Sequence, residues 1–264
     1  MDEITSGPDK MIQTGGENPA QPGQPQANLS PVEATAVDKA MWSLLVQLSR
    51  KMQVSSASIK AGVSSLLDYN IFWDGSTQHE FLDSIDASTD QISRLIMLLS
   101  LVSRAQAGSL EIKAEPQMLQ EIVSMVREQF QKESTGLVLE ITLPQAGKPV
   151  LVDYEYLMLA LRFIFEVLSN PSLESPTLNV FAFESEQGWK LDIVSSQSIM
   201  ELFALMVKDR IVELLNANTI SPENRLKLYI VYRIFLHMKI LIELVEYSDH
   251  KAGLRLIVPC ATDN

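Results

Sequence analysis

Cysteine, clustered positive charge and long apolar runs are all scarce in this sequence. Cys260 is the single cysteine among 264 residues, which rules out an intrachain disulfide and favours a reducing compartment. The 21 Lys and Arg face 33 Asp and Glu, for a formal net charge of -12. Because nucleic acids and anionic membranes attract clustered Lys and Arg, neither is an expected partner.

Features of export or membrane insertion are also missing. The first residues show no basic start followed by an apolar run, so no signal peptide is predicted. The most apolar stretches contain charges every few residues and do not resemble membrane spans. We therefore expect a soluble, cytoplasmic protein. Residues 1–31 are rich in Gly and Pro and poor in large apolar residues, which predicts a disordered tail.

Residues 32–110 carry the periodicity of a helical hairpin. The second helix has two apolar stripes. One consists of Leu82, Ile85, Ile92, Ile96 and Leu99, and the other of Phe81, Leu95, Leu98 and Val102. A helix with two stripes has neighbours on two sides, so we predict that two hairpins pair into the four-helix bundle of a homodimer. The expected dimer interface is Leu45, Met52, Ile59, Leu66, Ile85, Ile92 and Leu99. An offset seam on the first helix is formed by Met41, Leu48, Ser55 and Gly62.

Residues 111–264 mix helical and strand patterns. Helical periodicity covers 117–132, 155–169, 200–217 and 223–238. Runs typical of strands are VLEITL, PVLV, LNVFAF, WKLDIVS, ILIELVEY and LRLIV. This alternation predicts an α/β sandwich, a mixed sheet with helices on one face, and an α+β chain overall.

The order of these parts resembles that of sensor histidine kinases. The likeness is strongest over RLIMLLSLVSRAQAGSLEIKAEPQMLQEIVSMV, residues 94–126, and covers about residues 38–260. The resemblance implies a hairpin that dimerises and carries a phosphoacceptor histidine, followed by an ATPase-like sandwich of the GHKL type.

The phosphoacceptor motif of that family reads S-H-E-L-R-T-P-L, and the matching stretch here is SRKMQVSS, residues 49–56. Arg50 takes the place of the histidine, Lys51 that of the acid, and Ser55 that of the kink-forming proline. Arginine stays protonated in proteins and cannot act as a nucleophile towards phosphorus. The resemblance therefore implies that no catalytic phosphoacceptor is present on this helix.

The nucleotide-binding motifs differ from the family in the same way. Phe163 and Val167 fall where two asparagines bind magnesium and phosphate, and Ser195 falls where an aspartate reads adenine. Arg225 and Lys227 replace glycines that let the backbone approach phosphate. On this alignment the chain should bind neither ATP nor magnesium.

The expected function is a two-component signalling protein that acts without catalysis. It would be a dimeric adaptor or regulator of a response regulator or of a partner histidine kinase. The alternative is a divergent but active histidine kinase or phosphotransferase, and a third possibility is a sensor that binds a ligand in the altered cleft. Arg50 and Lys51 are either solvated helix charges or a basic docking patch, and Trp42, Trp73 and Trp189 are expected to be packing anchors.

Overall fold

The computed structural model describes residues 31–67, 73–133, 138–144, 147–169, 177–186, 188–247 and 251–261. The predicted disordered tail lies outside the described residues except for Pro31, which begins the first helix. The chain is α+β, as predicted, with two long helices followed by a mixed sheet and its helices. Its elements are α1 Pro31–Leu66, α2 Gly75–Gln106, β1 Glu115–Gln117, α3 Leu119–Glu133, β2 Val138–Thr142, β3 Val150–Val152, α4 Tyr154–Leu168, β4 Thr177–Ser185, β5 Gly188–Ser196, α5 Gln197–Val207, α6 Ile211–Asn216, α7 Pro222–Met238, β6 Leu241–Glu246 and β7 Lys251–Val258.

The two helices of the hairpin, α1 and α2, begin and end where local chemistry requires. The Asp74 carboxylate accepts a hydrogen bond of 2.7 Å from the Thr77 backbone N–H, which caps the start of α2. The helix ends at Gln106, and Gly108 follows with a φ of 65°, a conformation that glycine adopts without strain. A glycine directly after the last periodic residue of the second helix predicts a helix end near Ala107 and Gly108, and this prediction is confirmed.

The offset seam of α1 forms the contact with α2. Met41, Leu48 and Ser55 are buried. The Ser55 hydroxyl donates a hydrogen bond of 2.7 Å to Oε1 of Gln91 on α2. A Cβ added at Gly62 would lie 2.9 Å from Cγ1 of Ile85, so the glycine permits a close approach of the two helices. Ser55, at the position of the family's proline, thus lies inside one uninterrupted helix and links it to its neighbour.

The sandwich domain contains a five-stranded sheet of order β2-β4-β5-β7-β6 and a two-stranded sheet of β1 and β3. β2 runs parallel to β4, and the other neighbours are antiparallel. The alternation in β5 places Trp189, Leu191 and Ile193 in the core. Phe181 and Phe183 of β4 are partly exposed on the opposite face. The mixed sheet is confirmed, and all six strand runs read from the sequence are strands.

Two features differ from the sequence expectations. The helical pattern over 200–217 divides into α5 and α6, because Asp209 adopts a φ of 55° and interrupts the helix. Trp42 is 68% exposed and is not a packing anchor within one chain, whereas Trp189 is fully buried.

The two-stripe argument for α2 also needs correction. Leu95, Leu98 and Val102 are buried, and α2 contacts α7 of the same chain. Since α2 also contacts α1, it has two neighbours within one chain, and two apolar stripes do not by themselves require a second hairpin. In the other stripe, Leu82 and Ile96 are exposed, whereas Ile85 lies against Gly62 of α1.

Candidate functional site at the junction of hairpin and sandwich

The hairpin contacts the sandwich domain at residues 49–56, the stretch that matches the family's phosphoacceptor motif. Lys51 on α1 forms an ion pair with Glu223 in the first turn of α7, 172 residues further along the chain. The Ser221 hydroxyl caps α7 by accepting a hydrogen bond of 3.2 Å from the Asn224 N–H, and Pro222 begins the helix. This cap holds Glu223 against the hairpin.

The two basic residues of α1 have different surroundings. Arg50 is exposed, as expected for a solvated helix charge. Lys51 is engaged within the chain through Glu223, so neither a solvated charge nor a docking patch describes it fully. The structure thus brings the motif at 49–56 next to the segment that resembles the second glycine motif of the kinases.

The positions expected to match the magnesium-binding asparagines lie on the buried face of α4. Phe163 is 2% exposed and Val167 is 1% exposed. Neither side chain has an oxygen atom that could bind a hard cation. The Lys227 ammonium lies 5.8 Å from the centre of the Phe163 ring, so the α7 side chain covers this aromatic residue.

Glu166, on the next turn of α4 from Phe163, binds two cations. The Lys227 Nζ lies 2.7 Å from its Oε2, and the Arg162 Nε lies 2.9 Å from its Oε1. Burial raises the pKa of Glu166, but the charges and hydrogen bonds of Lys227 and Arg162 outweigh it, and the net pKa is lowered. Lys227 is therefore held by a carboxylate of its own chain.

Arg225 fills space inside the sandwich domain. Its side chain is 7% exposed, and its Nη1 donates a hydrogen bond of 3.1 Å to the Leu215 carbonyl near the end of α6. Its Nε has no hydrogen-bond partner among the described residues. Burial lowers the pKa of the guanidinium. The residue joins α6 to α7 and does not face open solvent as a phosphate ligand would.

A cavity of about 440 Å³ lies between the two domains. Its walls come from α1, α2, α4 and α7, and it is bordered by both ion pairs described above. Its charged lining residues are Lys51, Arg94, Arg162, Glu166, Glu223 and Lys227.

Ser195 lies in β5, where its backbone pairs with Ala252 of β7, but its side chain lies outside the described residues. In the described part of the chain, no group of three or more His, Cys, Asp or Glu is arranged to hold a metal. None of the helices there combines the length and the apolarity that a bilayer crossing requires.

The residues expected at the dimer interface share one property, which is partial burial in the single chain. They are Leu45, Met52, Ile59, Leu66, Ile85, Ile92 and Leu99. Partial exposure leaves each of them with surface that a second hairpin could cover. Dimerisation itself stays a prediction.

Comparison with known proteins supports the likeness drawn from the sequence. No family model matches the chain. The sensor protein KdpD of Clostridium acetobutylicum is 24% identical over 187 residues, which is 69% of this chain and 20% of that protein. The chain thus spans about a fifth of the length of the curated relative it matches.

Two solved structures share the fold. The histidine kinase AdeS of Acinetobacter baumannii superimposes with a TM-score of 0.55 at 16% identity, over 80% of this chain and 97% of that one. Full-length ShkA, solved in complex with AMPPNP, superimposes with a TM-score of 0.54 at 14% identity, over 84% of this chain and 46% of that one. The hairpin and sandwich of this chain therefore have the architecture of a histidine kinase core.

Sequence reasoning missed the connections between these positions. Arg162 and Glu166 are four residues apart on one helix, a spacing that could have suggested their ion pair. No local signal links Lys51 to Glu223 or Lys227 to Glu166, because each pair joins separate elements.

Proposed function

From the sensor histidine kinase-like fold of this chain, we propose that it acts in two-component signalling as a non-catalytic, dimeric adaptor or regulator. Its partner would be a response regulator or a competent histidine kinase, which would dock on the α1 face that carries Arg50. We place this role in the cytoplasm, consistent with the single cysteine.

The observation that carries the proposal is the burial of Phe163 and Val167 at the expected metal-binding positions. Magnesium requires oxygen ligands, and these side chains supply none. Arg225, buried against the Leu215 carbonyl, and Lys227, paired with Glu166, occupy the positions expected for glycines. The residues present therefore do not fit a magnesium nucleotide.

The exposed Arg50 supports the same conclusion from the hairpin. Phosphoryl transfer needs a nucleophile that is unprotonated near neutral pH, and a guanidinium is not one. The hairpin retains a surface for contacts, while the group that would accept phosphate is missing. An adaptor requires only this contact surface and not a group that accepts phosphate.

Nucleotide binding tests the proposal directly. We expect the full chain to show no saturable binding of ATP or ADP at about 1 mM nucleotide, by calorimetry or thermal shift, with or without magnesium. Loss of the metal ligands and of the phosphate-binding backbone removes several favourable contacts at once. An active histidine kinase in the same buffer serves as the positive control. Magnesium-dependent binding would instead support the alternative of a divergent kinase or phosphotransferase.

Autophosphorylation gives a second, independent test. Labelled ATP with magnesium should leave no acid-labile phosphate on the wild-type chain. Arg50→His restores an imidazole at the expected position and should stay unlabelled too, because the cleft would still lack a bound nucleotide. Label on the Arg50→His variant, or on a histidine of the wild type, would contradict the proposal.

A further inference from the structure

The cavity between the domains is cationic in a chain that is strongly acidic overall. It is lined by four cationic side chains and two carboxylates, whereas the whole chain has a formal net charge of -12. The carboxylates are not available to a ligand, because Glu223 is paired with Lys51 and Glu166 with Lys227. The cavity therefore retains an excess of positive charge.

Arg94 is the cation that a ligand could reach. It lies on α2, its side chain is exposed, and within the described residues it forms no ion pair. Its planar guanidinium can bind a carboxylate or phosphate through two hydrogen bonds. On the opposite wall, Lys227 and Arg162 share the single carboxylate of Glu166, so this group keeps one net positive charge, next to the Phe163 ring.

Apart from Gln91, the rest of the wall is apolar. Leu95 and Leu98 of α2 line the cavity together with Leu159 and Phe163 of α4. A volume of about 440 Å³ falls within the range of small-molecule sites. Apolar side chains beside a net positive charge favour a ligand that has a ring as well as a negative group.

The cavity and the expected dimer seam are on different sides of α2. Position 94 is two residues from Ile92, and an α-helix turns by about 100° per residue, so the two side chains point roughly in opposite directions. A dimer built through Ile92 would therefore leave the cavity open.

We propose that this cavity binds a small aromatic dianion, an aryl phosphate or an aromatic dicarboxylate. Arg94 and Lys227 contact its charged group, and its ring packs between Leu159 and the hairpin. Because α2 supplies one cation and α7 the other, the ligand connects the hairpin to the sandwich domain. The adaptor proposal concerns partners on the α1 face, and this site is additional to it.

Binding of phenyl phosphate and of phthalate to the full chain tests the inference. At pH 8 and low salt, without nucleotide and with a magnesium chelator, saturation-transfer NMR on the ring protons should show saturable binding of both probes. Dissociation constants on the order of 1 mM are expected for ligands of this size. Benzyl alcohol, which carries only the ring, should bind at least about fivefold more weakly in the same measurement. Inorganic phosphate, which carries only the charge, should need at least about fivefold higher concentration than phthalate to displace phenyl phosphate.

Arg94→Gln should weaken both probes about tenfold, because it removes a charge-assisted pair of hydrogen bonds. Arg104→Gln is the matched control, since Arg104 lies on the same helix outside the cavity lining and loses the same charge. Unchanged binding in Arg94→Gln, equal weakening in both variants, or no saturable binding to the wild type would each overturn the inference. Since the buffer holds no nucleotide or magnesium, these outcomes are independent of the nucleotide test above.

Discussion

Glu166 lies between two cations, Lys227 and Arg162, at the position where α4 and α7 meet. Its lowered pKa shows that the two cations outweigh the cost of burial. A carboxyl group with a lowered folded-state pKa contributes stability above its unfolded pKa, about 4.3. That contribution is lost as the pH falls through the folded value.

We therefore predict that Glu166→Gln lowers the free energy of unfolding by about 1–2 kcal/mol at pH 7. The difference from wild type should shrink between about pH 5 and pH 3. Urea titrations across this range measure it. Glu128→Gln, an exposed substitution on α3, is the matched control and should change stability by less than about 0.5 kcal/mol. A Glu166→Gln effect that does not depend on pH would refute the ion-pair explanation.

At the scale of elements, the hairpin has two sides with different neighbours. Leu95 and Leu98 of α2 are buried within the chain, while Ile59 and Ile92 stay partly exposed. Partly exposed apolar residues in heptad spacing on both helices are typical of a bundle completed by a second copy.

We predict that the wild-type chain sediments as a dimer and that the double variant Ile59→Asp with Ile92→Asp is monomeric or unfolded. Each aspartate would bury an unpaired charge at the expected seam. Gln53→Asp with Ala57→Asp adds the same charge on an exposed face of α1 and should stay dimeric. Sedimentation equilibrium reports the mass, and circular dichroism separates a folded monomer from an unfolded chain. A folded, monomeric wild type would contradict the prediction.

At the scale of the whole molecule, an ion pair joins the hairpin to the sandwich domain among the described residues. Lys51 and Glu223 connect α1 to α7, and both are partly exposed. Exposed ion pairs contribute little on their own, typically below about 1 kcal/mol. Their main effect is on which arrangement of the two domains is favoured.

We predict that Lys51→Glu and Glu223→Lys each lower the melting temperature and that the double exchange restores part of the loss. The coupling energy from the double-mutant cycle should be about 0.5–1 kcal/mol at low salt and should fall as salt rises. Arg50→Glu combined with Glu223→Lys is the control, because Arg50 is exposed and does not pair with Glu223. A coupling energy near zero for the Lys51 pair would show that the domains dock without it.

Much of the fold was determined by the sequence alone. The heptad spacing of Met41 and Leu48 predicts a helix with one buried side. The alternation of apolar residues in β5 predicts a strand with one buried face. Gly108 marks the end of α2, because a left-handed conformation follows the last turn. These features depend on periodicity and backbone sterics, which act over a few residues and can be read directly.

Only the tertiary structure decided which distant residues meet. Trp42 lies on the surface and Trp189 in the core, although the residue type is the same. Lys51 finds Glu223 across 172 residues, and Lys227 finds Glu166 on another helix. Such pairs depend on how the hairpin docks on the sandwich domain, which is set by the summed burial of many side chains. A local sequence pattern does not report this total burial, so the cavity between the domains could not be predicted from the sequence.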